Sequence, residues 1–541
     1  MNKQFLILLG IIFIAIFFRV NQLSTVPPSA SLDEASIGWN AYSILNTGKD
    51  EYGYKFPLLL RAYDDWRPAL YVYFVIPFVK LFGLNVLSVR LPSVILSTLS
   101  VIATYFLAKE LFRNKNKENL FSGENIGLIS SFFLGISPWH IYISRLGHEV
   151  NLGLSFLIFA VLFFLKKRIY LSSFFFFLSL ISYQSEKVFI PILILGITNI
   201  YKSEILVIRK KLIMIFIFGI IAFLPFIKET LAPNALIRFQ GTNVFNSHPE
   251  RFEEQSKLLA KAVNQNDVLG IILYNRRLIS IQIFLEGYLS HFNPVWLFTN
   301  SSGDYHKVPG IGLLYIWELP LILLGLYALL NKNFEKKTKK IILVWVLAAP
   351  IAASLATQAP HALRSFTFLP TLQILSALGV ISLFSYFRNN RLRQVLFLSC
   401  AGITFLSISY SFRQYFYVFP KTQSSSFQYA ISNAIPFALE NKDSYKKIVF
   451  SNVDNLSQSY MFFLFYSSYD PKLYQKQKGT ISGGYDKTHA FGKYEFRPIQ
   501  IAKEEKGNLY IGNYSDFPIS GSTLNVFEDL DGKKTIKVVT K

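Results

Sequence analysis

Read along its length, the chain alternates long apolar runs with short basic ones. Eleven apolar stretches recur, covering roughly residues 4–19, 88–108, 125–139, 150–165, 169–185, 188–201, 212–228, 311–330, 341–357, 365–386 and 394–411. Each reads as a helix crossing a bilayer, the shorter ones with tilt or a thinned membrane. A further run, Pro68 to Leu84, fits either a twelfth span or a helix lying in the interface. After Tyr410 the pattern changes. KKIVFSNV, NLYIGNY and LNVFEDLDGKKTIKVV alternate like short strands with turn signals, and Phe427 to Leu439 has helical spacing. The pattern predicts a mainly α-helical polytopic membrane domain over 1–411, with about eleven transmembrane helices plus interfacial helices. A small α/β domain follows over 412–541.

Composition strengthens this reading. Of 541 residues, 52% are hydrophobic and 52 are Phe, which is too apolar for a soluble globule. A formal net charge of +22 raises nucleic acid as a partner, but the basic residues sit in short loops between apolar runs. That is where anionic lipid and the positive-inside rule place them. The single cysteine, Cys400, lies in an apolar run, so no intramolecular disulfide can form. Residues 17–21 hold no small-residue cleavage site, and the first run is read as an uncleaved span.

Sidedness follows from the charges. With Pro68 to Leu84 placed in the interface, loops 109–124, 166–168, 202–211, 332–340 and 388–393 share one side and hold nineteen Lys and Arg against five Asp and Glu. The opposite loops are balanced, with five basic and six acidic residues in 19–67 and seven of each in the large outer loop 229–310. The first outer loop (19–87), the large one and the C-terminal domain are therefore expected outside a bacterial-type plasma membrane. The potentially reactive polar groups then share the outer face, an asymmetry that a purely structural protein does not need.

The stretch Ser31 to Leu45, SLDEASIGWNAYSIL, begins soon after the first span. Ser31 is placed to cap a helix with Glu34 as its capping-box partner, and Asp33 and Glu34 put two carboxylates at the helix start. They either charge the helix terminus or do chemistry. Transfer of a sugar from a lipid phosphate needs one carboxylate base and cations for the departing anion. A glycosidase needs a second carboxyl as acid. The outer loops supply the first set: Asp33 and Glu34, with Arg67, Arg145, Lys187 and Arg364 as cations.

Each of these also has a plain structural reading. Arg67 can snorkel from an interfacial helix, Arg145 and Glu149 are spaced as an i, i+4 ion pair, and Lys187 can anchor a span end. Arg364, at an outward helix start after His361, is the better phosphate candidate, because a guanidinium forks onto phosphate oxygens. Asp304 and His306 either reach the site from above or belong to a plain turn. The histidines have no metal-ligand spacing. No cofactor is assigned, and a divalent metal is left open.

Taken in order, DEASIGWNAYSIL, DDWRPALYVY, VRLPSVIL, SPWHIYISRLGHEVNLG, GYLSHFNPVWLF, GDYHKVPGIGLLYIWELP and PHALRSFTFLP resemble the bacterial branch of the dolichyl-phosphate-mannose protein mannosyltransferase family. This is glycosyltransferase family 39 of the GT-C superfamily, and the chain is also similar to aminoarabinose transferases. The resemblance covers about 1–411. It implies a GT-C fold, a polyprenyl-phosphate-linked sugar donor, and inverting transfer to a hydroxyl of a protein, lipid or glycan acceptor at the outer membrane surface. Asp33 matches the family's catalytic acid and Glu34 the second residue of its acidic pair. Arg67 matches a basic residue before the interfacial helix, in the DDWRP motif that also holds Asp65. Ala69 stands where a second proline is usual. Arg145 and Glu149 match an arginine and acid in the second outer loop. The rival readings are a lipid-linked-sugar flippase or transporter, which should carry ionisable residues mid-span, and an outward-facing polysaccharide polymerase or ligase.

Overall fold

The computed structural model describes residues 3–113, 120–230, 244–246, 248–299, 306–332, 334–485, 487–517 and 522–541. Contacts divide the chain into two compact units. One comprises residues 1–15, 98–143 and 152–407, and the other comprises 16–97, 144–151 and 408–541. The second joins the first outer loop to the C-terminal region, whose resumption at Ile408 falls close to the compositional change after Tyr410.

The first unit is helical. Its tightest pair is Glu318–Asn331 against Thr371–Tyr386. A Cβ at Gly325 would overlap the Leu375 carbonyl, and one at Gly379 would overlap that of Leu321. Bare glycine is what lets the two backbones touch, the usual means of helix association where lipid removes the hydrophobic drive.

Among the described residues, five helices are long and apolar enough to cross a bilayer: Lys3–Val20, Val86–Leu111, Arg209–Ile227, Phe366–Tyr386 and Asn390–Thr422. A pair bent by 58°, Gly123–Ile136 and Pro138–Ser144, makes a sixth if it counts as one span. Of the eleven runs expected to span, several form single helices of 12–16 residues, such as Val150–Leu165, Ile169–Leu180 and Glu186–Ile200, and others break. The run 341–357 becomes Lys336–Ala348 and Ile351–Ser354, with Pro350 between them. Pro68 to Leu84 forms a helix only over Leu70–Phe82, 13 residues. At 1.5 Å per residue this is about 20 Å, short of the roughly 30 Å hydrocarbon core.

The second unit contains the C-terminal end of α1 (Lys3–Val20) from Ile16, α2 (Leu32–Thr47), a hairpin of β1 (Leu59–Ala62) and β2 (Asp65–Pro68), α3 (Leu70–Phe82), and the start of α4 (Val86–Leu111). The expected capping box is present: Ser31 Oγ accepts from Glu34 N at 3.2 Å, and Glu34 Oε2 accepts from Ser31 N at 2.8 Å. Gly48, with φ of +69°, ends the helix. The C-terminal region is α/β, as its alternation suggests. Strands β3 (Ile448–Phe450), β4 (His489–Phe491), β5 (Tyr494–Phe496), β6 (Leu509–Asn513), β7 (Thr523–Glu528) and β8 (Lys534–Thr540) form one sheet in the order β4-β5-β3-β6-β8-β7. Strand β3 is parallel to both neighbours and wholly buried. The hairpin β4–β5 has no counterpart in the sequence pattern.

Candidate active site

The carboxylates of α2 divide the work between them. Glu34 points inward and is buried. Arg90 grips it with Nε at 2.7 Å and Nη2 at 3.0 Å, and the Gly147 backbone N–H donates to it at 2.8 Å. A Cβ at Gly147 would lie 2.5 Å from Val89, so that approach needs glycine. Arg90 also donates to the carbonyls of Leu23, Pro27 and Ser29. Glu34 and Arg90 thus form a satisfied buried ion pair that seats α2 on its neighbours. Arg90 was not among the sequence candidates, although an arginine inside an apolar run is itself a signal.

Asp33, one residue earlier, faces the other way, with its side chain 48% exposed. Its Oδ1 accepts from Arg67 Nη1 at 2.9 Å. Arg67 lies on β2 opposite Leu60 and is itself buried. Burial opposes its charge, but the carboxylates of Asp33 and Glu149 more than offset that, and the guanidinium is held above its ordinary pKa. Its Nε and Nη2 are buried with no hydrogen-bond partner among the described residues. Unfilled donors on a charged group cost more than a neutral group's roughly 1–3 kcal/mol. The arrangement is an exposed carboxylate beside a cation with spare donors.

The hairpin that carries Arg67 is strained. Its turn residues Tyr63 and Asp64 have φ of +54° and +61°, the signature of a type I′ turn that usually calls for Asn-Gly. Left-handed backbone at such residues costs on the order of 1–3 kcal/mol each. Asp64 offsets the cost by accepting from Arg61 Nη2 at 2.6 Å and from Gly483 N at 3.0 Å. Tyr63 donates its hydroxyl to the Leu32 carbonyl at 2.7 Å, fixing the backbone beside Asp33. Asp65 begins β2, and its Oδ1 accepts the Trp66 N–H at 2.8 Å.

Arg145 takes a different role from the expected phosphate contact. The helix Pro138–Ser144 ends just before it, so it cannot pair helically with Glu149. Its Nη1 donates to the carbonyls of Phe18 and Arg19, and its Nη2 to those of Gln22 and Val26. It closes the C-terminus of α1, where a cation complements the helix dipole. The rings of Tyr415 and Phe416 lie 5.4 and 4.8 Å from it. Glu149 Oε2 lies 3.5 Å from His148 Nδ1, a nitrogen that also accepts the Val150 N–H.

The remaining candidates belong to the first unit. Lys187 is in the first turn of the helix Glu186–Ile200. The rings of His306 and His361 lie 5.4 Å apart, and Arg364 Nη1 donates to the Thr357 carbonyl. The missed residue here is His291. Its Nδ1 donates to the Gly287 carbonyl at 2.7 Å, leaving Nε2 to accept the His361 N–H at 3.2 Å. Burial pushes its pKa down to about 4, so a neutral imidazole holds the PHALR segment. Asp304 lies outside the described residues. Among the described residues no group of three His, Cys, Asp or Glu is placed to hold a metal ion.

No protein-family model and no curated protein matches this chain. Solved structures do. The chain is similar to ArnT from Cupriavidus metallidurans bound to undecaprenyl phosphate, with a TM-score of 0.56 at 9% identity over 98% of this chain and 97% of that one. It is also similar to ArnT from the same organism in the apo state (TM-score 0.50, 10% identity, 99% and 97% covered). A further likeness is to the Archaeoglobus fulgidus oligosaccharyltransferase tethered with an acceptor peptide (TM-score 0.50, 12% identity), over 86% of this chain and 63% of that one. At these identities the likeness is one of fold, and it does not reach the mannosyltransferase branch that the motifs resemble. The chain shares the fold of these structures, a mainly helical body with a C-terminal sheet domain.

Proposed function

We propose that the protein is an integral-membrane inverting glycosyltransferase that moves a sugar from a polyprenyl-phosphate donor to an acceptor hydroxyl on the extracytoplasmic face. The observation that carries this reading is the Asp33–Arg67 pair, an exposed carboxylate beside a buried guanidinium with two donors unfilled. The GT-C fold adds support, since one neighbour of the same fold is bound to undecaprenyl phosphate.

In the reaction, the acceptor oxygen attacks the anomeric carbon while the bond from that carbon to the phosphate oxygen breaks. The sugar develops oxocarbenium character, the lipid phosphate leaves with its bonding electrons, and the hydroxyl proton passes to Asp33. Arg67 stabilises the growing negative charge through its open donors, where a low-dielectric surround makes a fixed cation worth more than in water. Glu34, with its oxygens taken by Arg90, Gly147 and Ser31, holds α2 in place. Family 39 membership, the sugar and the class of acceptor belong to this proposal. The outward placement rests on the charge bias of the loops.

The test is release of the lipid. Purified protein in liposomes with undecaprenyl-phosphoryl [14C]hexoses and a bacterial membrane extract should liberate undecaprenyl phosphate as label enters the acceptor fraction. If no donor in the series gives release above protein-free liposomes, the reading fails.

A further inference from the structure

One loop of the C-terminal α/β domain bonds the Tyr63–Asp64 turn beside the Asp33 site. Residues 480–485, between the helix Pro471–Lys476 and β4, lie on the first outer loop within the same compact unit. The attachment is dense. Thr480 donates from N to the Glu51 carbonyl at 3.1 Å and from Oγ1 to Glu51 Oε2 at 3.0 Å. Ser482 Oγ and Gly483 N both donate to the Asp64 carboxylate. A Cβ at Gly483 would lie 2.5 Å from the Tyr52 hydroxyl and 3.1 Å from the Tyr63 backbone, so a side chain there would press on the hairpin and push Tyr52 aside.

What the loop delivers is Tyr485. Its ring lies 6.2 Å from that of Tyr63 at 41°, yet the residue stays 58% exposed. Its hydroxyl feels the site directly: part burial, then the charges of Asp33 and Asp65, push it above the ordinary phenol range, against the pull of Arg67. An exposed aromatic face beside a carboxylate and an arginine has a specific chemical complement. A pyranose offers such a ring one face of C–H bonds and an edge of hydroxyls, and an aromatic with a polar tip contacts both.

We propose that Tyr485 contacts the pyranose at the Asp33 site, and that the C-terminal domain, clasped to the strained Tyr63–Asp64 turn, thereby takes part in choosing the sugar. The inference rests on the glycosyltransferase reading above. The ring contacted is either that of the donor or that of an acceptor glycan, and the experiment separates them.

Full-length protein in liposomes would be assayed with undecaprenyl-phosphoryl glucose, mannose and galactose, each with and without a bacterial membrane extract as acceptor. Tyr485→Ala should raise KM for sugar substrate about tenfold while kcat changes by no more than about threefold. Tyr485→Phe, which keeps the face, should restore KM to within about threefold, and Tyr485→Leu, which keeps only bulk, should not. Gly483→Ala, which displaces the loop, should resemble Tyr485→Ala. A rise seen also in acceptor-free donor hydrolysis identifies the donor sugar, and one confined to transfer identifies an acceptor ring. Unchanged KM in Tyr485→Ala, or full rescue by Leu, overturns the inference and leaves the glycosyltransferase reading standing. A wild-type protein inactive on every donor removes both.

Discussion

Two neighbouring carboxylates with opposite fates show how much a single residue's surroundings decide. Asp33 and Glu34 are chemically alike, but Glu34 is spent on Arg90 and two backbone N–H groups, whereas Asp33 stays half exposed beside Arg67. Removing one partner of a buried pair leaves an uncompensated charge. Arg90→Ala should therefore cost about 3–5 kcal/mol of stability, read as lower folded yield and melting temperature of the purified protein. Arg67→Ala should instead fold and lose donor turnover, and Arg67→Lys should recover little of it, since a lysine cannot offer the same fork. An Arg90→Ala protein with wild-type melting, or an Arg67→Ala protein with wild-type turnover, would contradict these assignments.

Glu51 makes a further prediction at this scale. It is buried beneath the C-terminal loop, bonded by Asn40, Tyr460 and Thr480, and burial pushes its pKa up to about 7 from an ordinary 4.5. The folded state therefore holds this proton more tightly than the unfolded one. The contribution is full below about pH 4.5 and is lost as pH rises through about 7. Melting temperature should fall across that window in the wild type and stay flatter in Glu51→Gln. Identical pH profiles would contradict the burial argument.

At the scale of the element, what can be read ahead of structure is what depends on neighbours in the chain. The capping box at Ser31 and Glu34, the helix within the 427–439 stretch and the strands of KKIVFSNV and NLYIGNY are legible because propensity, capping and alternation are local. The hairpin β4–β5 is not, since three-residue strands turning at Gly492 are too short to show a period. The Arg145–Glu149 spacing suggests a helix that ends at Ser144, and Arg145 serves carbonyls more than a hundred residues away. Candidate chemistry follows the same rule. Asp33 and Arg67 are legible as types, while the partition of duties between Asp33 and Glu34 depends on Arg90 and Gly147 arriving from distant segments. The helix pair Glu318–Asn331 and Thr371–Tyr386 depends on bare backbone, so Gly379→Leu should force the pair apart and lower folded yield. A normally folded Gly379→Leu protein would show that the contact is not needed.

Across the whole molecule, the charge bias of the loops is the feature that composition alone makes visible. Nineteen basic residues on one set of loops and balanced charge on the other are what the positive-inside rule expects of the proposed outward placement of the first outer loop. Cys400 is the sole cysteine, so a Cys400→Ser background allows single reporters. A cysteine replacing Lys55 should react with a membrane-impermeant maleimide on intact cells, and one replacing Lys340 should react only after permeabilisation. The reverse pattern would invert the proposed topology. Number and exact extent of spans are less legible, because hydropathy marks apolar runs and cannot show where a run such as 341–357 breaks at Pro350.

In the proposed reaction Asp33 accepts the proton as sugar leaves a polyprenyl phosphate. Its most direct test is Asp33→Asn, purified at wild-type yield and assayed for release of undecaprenyl phosphate alongside Glu34→Gln. Asp33→Asn should lose at least about a hundredfold in turnover with its melting temperature unchanged, and Glu34→Gln should lose stability first. Turnover by Asp33→Asn close to that of wild type would contradict it.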